Sequence, residues 1–66
     1  MTALNPQSYR LSFNDAVDTW LRYWAGEYQH TIAASYGVNP ARVSEVVKSK
    51  AHLGSEEIAQ NLRVAA

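Results

Sequence analysis

Cysteine is absent from this chain of 66 residues, which excludes disulfide bonds and thiolate chemistry and makes the reducing cytoplasm the expected location. No run of about 18 apolar residues occurs, so no membrane-spanning helix is expected. The first residues lack the basic segment and apolar run of a secretory signal, and we expect none. Only three glycines and two prolines are present, and they form no glycine-rich loop for a nucleotide phosphate.

The length and composition are those of one small globular domain. Sixty-six residues leave no room for a second domain, and 47% hydrophobic with 18% charged residues favours a packed core over disorder. The formal net charge is zero, whereas nucleic-acid-binding domains are usually basic. The charge is unevenly distributed, however, because Arg42, Lys48 and Lys50 against the single Glu45 give residues 42–52 a sum of +2. A small basic patch is therefore expected there.

The spacing of apolar residues predicts an all-α, compact four-helix domain over residues 12–66, after a flexible N-terminal arm at residues 1–11. Ser12 is the expected N-cap of the first helix, and Asp15 completes a capping box. Gly26 is placed to end that helix. The inward stripe of the helix, with intervals of three and four residues, is Phe13, Ala16, Val17, Trp20, Leu21 and Trp24.

Two shorter helices follow. The second is expected to begin at Glu27 or Tyr28 and to end at Tyr36. The third is predicted over residues 39–49, with Asn39 as its N-cap. The residues expected to face the core are Ile32, Ala33 and Tyr36 in the second helix and Val43, Val46 and Val47 in the third.

A loop and a fourth helix complete the predicted domain. Residues 48–54 are expected to form the loop, with Leu53 as an apolar anchor. Ser55 is the predicted N-cap of the fourth helix, where Glu56 and Glu57 favour the positive end of the helix dipole. The inner face of this helix is expected to consist of Ile58, Ala59 and Leu62.

Residues 28–48 meet the side-chain requirements of a helix-turn-helix, in which two helices cross through a turn of about three or four residues. Ala33 is a small residue where the second backbone comes close, and Gly37 tolerates the positive φ of the turn. Pro40 suits the first position of the second helix. In this motif the second helix enters the major groove of duplex DNA. The apolar residues that flank the turn are Ile32, Tyr36, Val38, Val43 and Val46.

This pattern resembles the helix-turn-helix regulators typified by the lambda repressor and Cro proteins. The segment at residues 43–47 is also similar to the recognition helix of the lac repressor group, and residues 55–62 look like the helix that follows the motif in repressor and Cro domains. The resemblance implies sequence-specific binding of double-stranded DNA. The residues that carry it are Gln29, Ile32, Ala33, Gly37, Val38, Val43 and Val46.

The resemblance implies which residues would touch DNA. It places Gln29 against a backbone phosphate. On the recognition helix, Asn39 or Ser44 is suited to a base edge or a phosphate. Ala41 is suited to a thymine methyl group, and Glu45 to a cytosine amino group. The full set of expected DNA-binding residues is Gln29, Asn39, Pro40, Ala41, Arg42, Ser44, Glu45, Lys48 and Lys50.

Arg42, Lys48 and Lys50 are better suited to phosphates than to bases. The chain departs from the family at positions where that family often reads DNA: Pro40 and Ala41 stand where glutamine is common. Glu45 stands where the lac group often has arginine. Few side chains of the predicted recognition helix can therefore read bases.

The expected function is that of a small transcriptional regulator, mainly a repressor, that binds a palindromic site as a homodimer. The predicted dimer surface is the fourth helix and the tail, with Leu62 and Val64, or else the first helix. A helical adaptor that binds protein without DNA, antitoxin-like or anti-activator, stays open as an alternative, as does an accessory factor for recombination. Arg10 in the arm is expected to be solvated, with insertion into a minor groove as the alternative.

Other side chains have structural interpretations. The spacing of Phe13, Trp20 and Trp24 favours a core role over base stacking. His30 and His52 lack the spacing of metal ligands, so no metal or other cofactor is expected. Ser44 has no histidine at a useful spacing, so an enzyme is not expected, and no small-molecule substrate is evident.

Overall fold

The computed structural model describes residues 10–65 as four α-helices, with no strand in that range. These are α1 (Phe13–Trp24), α2 (Gln29–Tyr36), α3 (Pro40–Val47) and α4 (Ser55–Ala65). The predicted all-α domain of four helices is confirmed. Most of the predicted arm, residues 1–9, lies outside the described residues. Within residues 10–65, no helix is both long and apolar enough to cross a lipid bilayer.

The capping box predicted for α1 is present. The Ser12 hydroxyl accepts a hydrogen bond from the backbone N–H of Asp15, and the Asp15 carboxylate accepts one from the backbone N–H of Ser12, both at 3.0 Å. These bonds satisfy two of the backbone donors that a helix start leaves without partners. The helix ends as expected beside Gly26, which has a φ of 100°.

The core is built around α1, which packs against all three other helices. Trp20, at 5% exposure, is its largest buried side chain. Phe13, predicted to be inward, is 42% exposed, because it lies in the first turn, at one end of the buried stripe. Leu11 is buried although it belongs to the predicted arm. The buried apolar residues are Leu11, Ala16, Val17, Trp20, Ile32, Ala33, Val43, Val46 and Ala59.

A polar network fixes α2 against α1. The Arg22 guanidinium donates to both carboxylate oxygens of Glu27 at 2.8–3.1 Å and to the Ser35 hydroxyl at 2.8 Å. The Tyr36 hydroxyl donates to the Asp18 carboxylate. Burial and, secondly, this carboxylate raise the pKa of Tyr36, so the phenol stays protonated as a donor. Tyr36, predicted to face the core, is half-buried and packs against it, while its hydroxyl bonds to Asp18.

Among the described helices, α4 packs only against α1, and its buried residues are small. Ser55 is the first residue of α4, and its hydroxyl accepts from the Trp20 indole, so the predicted role as N-cap is wrong. Ala59 is fully buried, whereas Ile58 and Leu62, predicted to face inward, are 44% and 51% exposed. The buried residues of α4 are thus the small Ser55 and Ala59, one turn apart, and the Trp20 indole bonds to the first of them.

Leu53 does not anchor the loop before α4. Its side chain is 75% exposed. The loop instead turns at Ser49 and His52, which both have a positive φ, and at Gly54. Ala51 and His52 are the half-buried residues of this loop.

Candidate nucleic-acid interface

A three-residue connection joins α2 to α3. Gly37 ends α2 in the left-handed conformation, with φ 71° and ψ 29°, and its N–H donates to the carbonyls of Ala33 and Ala34. The N–H of Val38 also donates to the Ala33 carbonyl, at 3.0 Å. Residues with a Cβ disfavour this conformation, so glycine suits the position. The chain therefore ends α2 at Gly37 and changes direction within this short turn, which leads to Asn39.

Asn39 begins α3 as predicted. Its side-chain oxygen accepts a hydrogen bond of 2.8 Å from the backbone N–H of Ala41, and Pro40 occupies the first helical position. The cap uses the carbonyl oxygen of the side chain, so the group that Asn39 can offer to an outside acceptor is its NH₂. Asn39, Pro40 and Ala41 are all exposed.

The two sides of α3 differ sharply in burial. Val43 and Val46 are buried against the rest of the domain, and Val47 is half-buried. Ser44 and Glu45 are half-buried, and the remaining expected contact residues on this helix are exposed. The helix is shorter than predicted: it ends at Val47, because Lys48 takes φ −99° and ψ 8° and Ser49 has a positive φ.

Two expected contact residues of α3 pair with each other. The Arg42 guanidinium lies 2.9 Å from the Glu45 carboxylate, one helical turn away. Their side chains are 49% and 41% exposed, so water screens the pair and little free energy holds it together. In the free protein, the charge of Arg42 is thus partly compensated, although an approaching phosphate can compete for it.

Lys48 and Lys50 follow the end of α3 and are exposed. The backbone N–H of Lys48 donates to the Ser44 carbonyl and that of Lys50 to the Glu45 carbonyl, at 3.0 and 2.8 Å. These bonds hold both residues close to the last turn of α3. The two lysines of the expected basic patch therefore follow directly on the last turn of α3.

The start of α2 presents a second group of polar side chains. Gln29 is the first residue of this helix and is half-buried. On either side of it, the Tyr28 ring, 72% exposed, stacks on the His30 ring with 5.7 Å between centroids and 6° between planes. The two rings can stack although they are two positions apart, because Tyr28 is the N-cap of α2 and has an extended backbone.

An open cleft of about 930 Å³ borders the exposed side of α3. Three segments distant in sequence form it: Arg10 and Leu11 before α1, the turn with one side of α3 as far as Glu45, and Ala51 with His52. Sequence reasoning had no signal for this, because the approach of Arg10 to α3 depends on the packing of Leu11. The lining residues are Arg10, Leu11, Gly37, Val38, Asn39, Ala41, Arg42, Glu45, Ala51 and His52.

The other carboxylates lie in positions that suit the fold, and the histidines join no metal-ligating cluster among residues 10–65. Within residues 10–65, no three side chains of the metal-ligating types lie close enough together to hold an ion. Asp15 acts in the capping box, and Asp18 accepts from Tyr36. Glu56 and Glu57 lie in the first turn of α4.

We compared the chain with known protein families, curated proteins and solved structures, and nothing matches in any of the three comparisons.

Proposed function

We propose that this protein binds double-stranded DNA in a sequence-specific manner and regulates transcription, with α2 and α3 acting as a helix-turn-helix. One observation carries the proposal: α2 ends in a left-handed Gly37, and after two further residues α3 begins at a capped Pro40 with one side buried and one exposed. A short helix held in this way presents its exposed side as a ridge, and the major groove, about 12 Å wide, accepts an α-helix.

In this proposal the small residues at the start of α3 have a positive role. Pro40 and Ala41 add little bulk, so the backbone at this end of the helix can approach the base edges closely. Ser44 and Glu45 then supply hydrogen-bonding groups one turn further on, and the Ala41 methyl group supplies an apolar contact for thymine. Base reading thus depends on few side chains, and specificity is expected to be modest.

Phosphate contacts fall on both sides of α3. Lys48 and Lys50 are exposed at its end, and Gln29 lies at the start of α2. Arg42 becomes available when a phosphate displaces Glu45. Phosphate contacts supply most of the non-specific affinity and fix the register of the protein on the duplex.

With so few cations, one copy would bind weakly, and we propose that two copies bind a palindromic site. Its half-sites would be about one helical turn apart. The exposed apolar side chains of α4 support the predicted dimer surface: Ile58 at 44%, Leu62 at 51% and Val64 at 76% exposure. By its position on DNA the dimer would exclude or recruit other factors.

Binding to a random duplex at low and moderate salt tests the proposal. Fluorescence anisotropy with a labelled duplex of about 20 base pairs should detect affinity that falls steeply as salt rises, since bound phosphates release counterions. Selection from a random duplex library should then return a two-fold symmetric site. Failure to bind any duplex at low salt would overturn the proposal.

One observation favours a second function, that of a helical adaptor that binds another protein. The chain has no net charge, and the exposed apolar side chains of α4 are suited to a protein surface. An adaptor should show no salt-dependent affinity for duplex DNA. The same anisotropy measurement therefore separates the two functions.

A further inference from the structure

The cleft beside α3 joins residues that are far apart in sequence. Arg10 and Leu11 form one part, the start of α3 another, and Ala51 with His52 a third. Its volume of about 930 Å³ is in the range of ligand-binding clefts, but it is open to solvent. It therefore suits an extended chain that passes across it better than an enclosed small molecule.

The lining combines apolar groups with polar and charged ones, among them the Glu45 carboxylate, which is paired with Arg42. Leu11 is buried, and Val38 and Ala51 are half-buried, so these three give apolar contacts. Arg10 is exposed, and His52 is half-buried. A DNA strand offers groups that match both kinds, because each deoxyribose presents C–H surface and each phosphate is an anion. The cleft is thus complementary in chemistry to a sugar-phosphate backbone.

The charge of Arg10 is not used elsewhere in the described part of the chain. Of the ion pairs within residues 10–65, those of α1 involve Arg22, and the one on α3 joins Arg42 to Glu45. No residue in that range forms an ion pair with Arg10. A phosphate in the cleft would therefore meet a guanidinium that does not first have to leave a carboxylate.

We propose that this cleft binds the phosphodiester backbone of the DNA strand that borders α3, with Arg10 as its principal cation and His52 as a second hydrogen-bond donor. This inference rests on the proposed function and extends the DNA contact from the α2–α3 pair to residues before α1 and before α4. Because phosphates carry no sequence information, these contacts add affinity equally for all sequences.

Arg10→Gln is the main test, and Arg63→Gln is its control. Both variants lose one positive charge and replace arginine with a polar side chain. Arg63, however, belongs to α4, where it lies over the Trp24 ring of α1, and it does not line the cleft. Affinity for random duplex is measured by anisotropy from about 50 to 300 mM salt. One phosphate contact contributes about 0.9 to the slope of log affinity against log salt. Arg10→Gln should lower the slope by that amount and the affinity about eightfold at 0.1 M salt.

His52→Asn is a second, independent variant. Asparagine tolerates the φ of 53° at this position better than most residues, so the loop should keep its shape while the imidazole is lost. We expect a smaller, sequence-independent loss of affinity, with far-ultraviolet circular dichroism unchanged. Amide shifts of Leu11 and Ala51 on addition of duplex should also be reduced.

The outcomes separate this inference from the proposed function. If the wild type binds duplex and both arginine variants have the same slope, the cleft does not bind phosphate and the inference is wrong, while DNA binding stands. If Arg10→Gln weakens some sequences and not others, Arg10 reads bases, which also overturns the inference. If the wild type binds no duplex, the proposed function fails, and the inference fails with it.

Discussion

The indole N–H of Trp20 donates a hydrogen bond of 3.1 Å to the hydroxyl oxygen of Ser55, and both residues are buried. This bond joins α1 to the first residue of α4, which packs against no other helix in the described part of the chain. The same two helices make a second contact, in which the Arg63 guanidinium lies 5.1 Å from the centre of the Trp24 ring. The position of α4 therefore depends on its packing against α1, in which the buried Trp20–Ser55 bond is expected to matter more than the contact of the exposed Arg63.

Ser55→Ala should lower the free energy of unfolding by about 1–3 kcal/mol, because it leaves a buried indole donor without a partner. Urea denaturation followed by tryptophan fluorescence measures this. Ser44→Ala, on α3, is the control and should be nearly neutral, since Ser44 is only half-buried and alanine favours a helix. An equal loss for both variants would contradict the importance of the Trp20 bond.

Removal of the Thr19 hydroxyl should have the opposite effect on the free energy of unfolding. Thr19 is fully buried in α1, and its hydroxyl has no hydrogen-bond partner among the described residues. An unsatisfied buried hydroxyl costs free energy, and valine has nearly the same shape. Thr19→Val should raise the free energy of unfolding by about 1 kcal/mol in the same denaturation experiment. Thr31→Val, at an exposed position of α2, should not, and a loss of stability in Thr19→Val would show that the hydroxyl has a partner in solution.

The sequence predicted the starts of α1 and α3 well and the buried faces less well. Ser12 with Asp15, and Asn39 with Pro40, are local signals, because the groups that bond lie within three residues of each other. The burial of α4 is not local. Its apolar period includes Ile58 as well as Ala59, and which of them is buried depends on how α4 packs against α1.

The same distinction applies to the candidate interface. The exposed side of α3 follows from the period of its valines and could be predicted from the sequence. The pairing of Arg42 with Glu45 is also within reach of sequence reasoning, because residues three apart on a helix are neighbours. The position of Arg10 beside α3 could not be predicted, since it depends on how Leu11 enters the core.

The Arg22–Glu27 pair should make stability depend on pH on the acid side. Hydrogen bonds from Arg22 lower the pKa of Glu27 below its ordinary value of 4.5. A carboxyl group whose pKa is lower in the folded state stabilises the fold above that ordinary value, and the contribution is lost as pH falls through the folded pKa. The loss is therefore expected below about pH 4.5.

Glu27→Gln isolates this contribution. Wild type and variant should differ in stability at pH 7, and the difference should shrink as the pH falls below about 4.5, in urea denaturation at a series of pH values. Arg22→Gln should flatten the acid side of the curve in the same way, because it removes the cause of the shift. A constant difference between wild type and Glu27→Gln from pH 7 to pH 3 would contradict this account.

Leu62 tests the proposed dimer. Its side chain is 51% exposed on α4, so Leu62→Glu should change the stability of the monomer little but place a charge in an apolar interface. We expect sedimentation equilibrium to show a concentration-dependent dimer for the wild type and a monomer for the variant. Gln60→Glu adds the same charge at another exposed position of α4 and should still dimerise. A wild type that stays monomeric on its selected DNA site would exclude this surface.

Glu45 and Lys48 test whether α3 lies in the major groove. Glu45→Ala should alter base preference at one position of the half-site and, because it frees Arg42, raise the affinity for random duplex. Lys48→Ala should weaken all sequences alike and lower the salt slope by about 0.9. Competition binding with single-base variants of the selected site measures both. Glu57→Ala removes a negative charge from α4 instead, so it should raise affinity slightly without changing base preference. If Glu45→Ala and Glu57→Ala give the same preference, Glu45 does not contact a base, and α3 does not enter the groove as proposed.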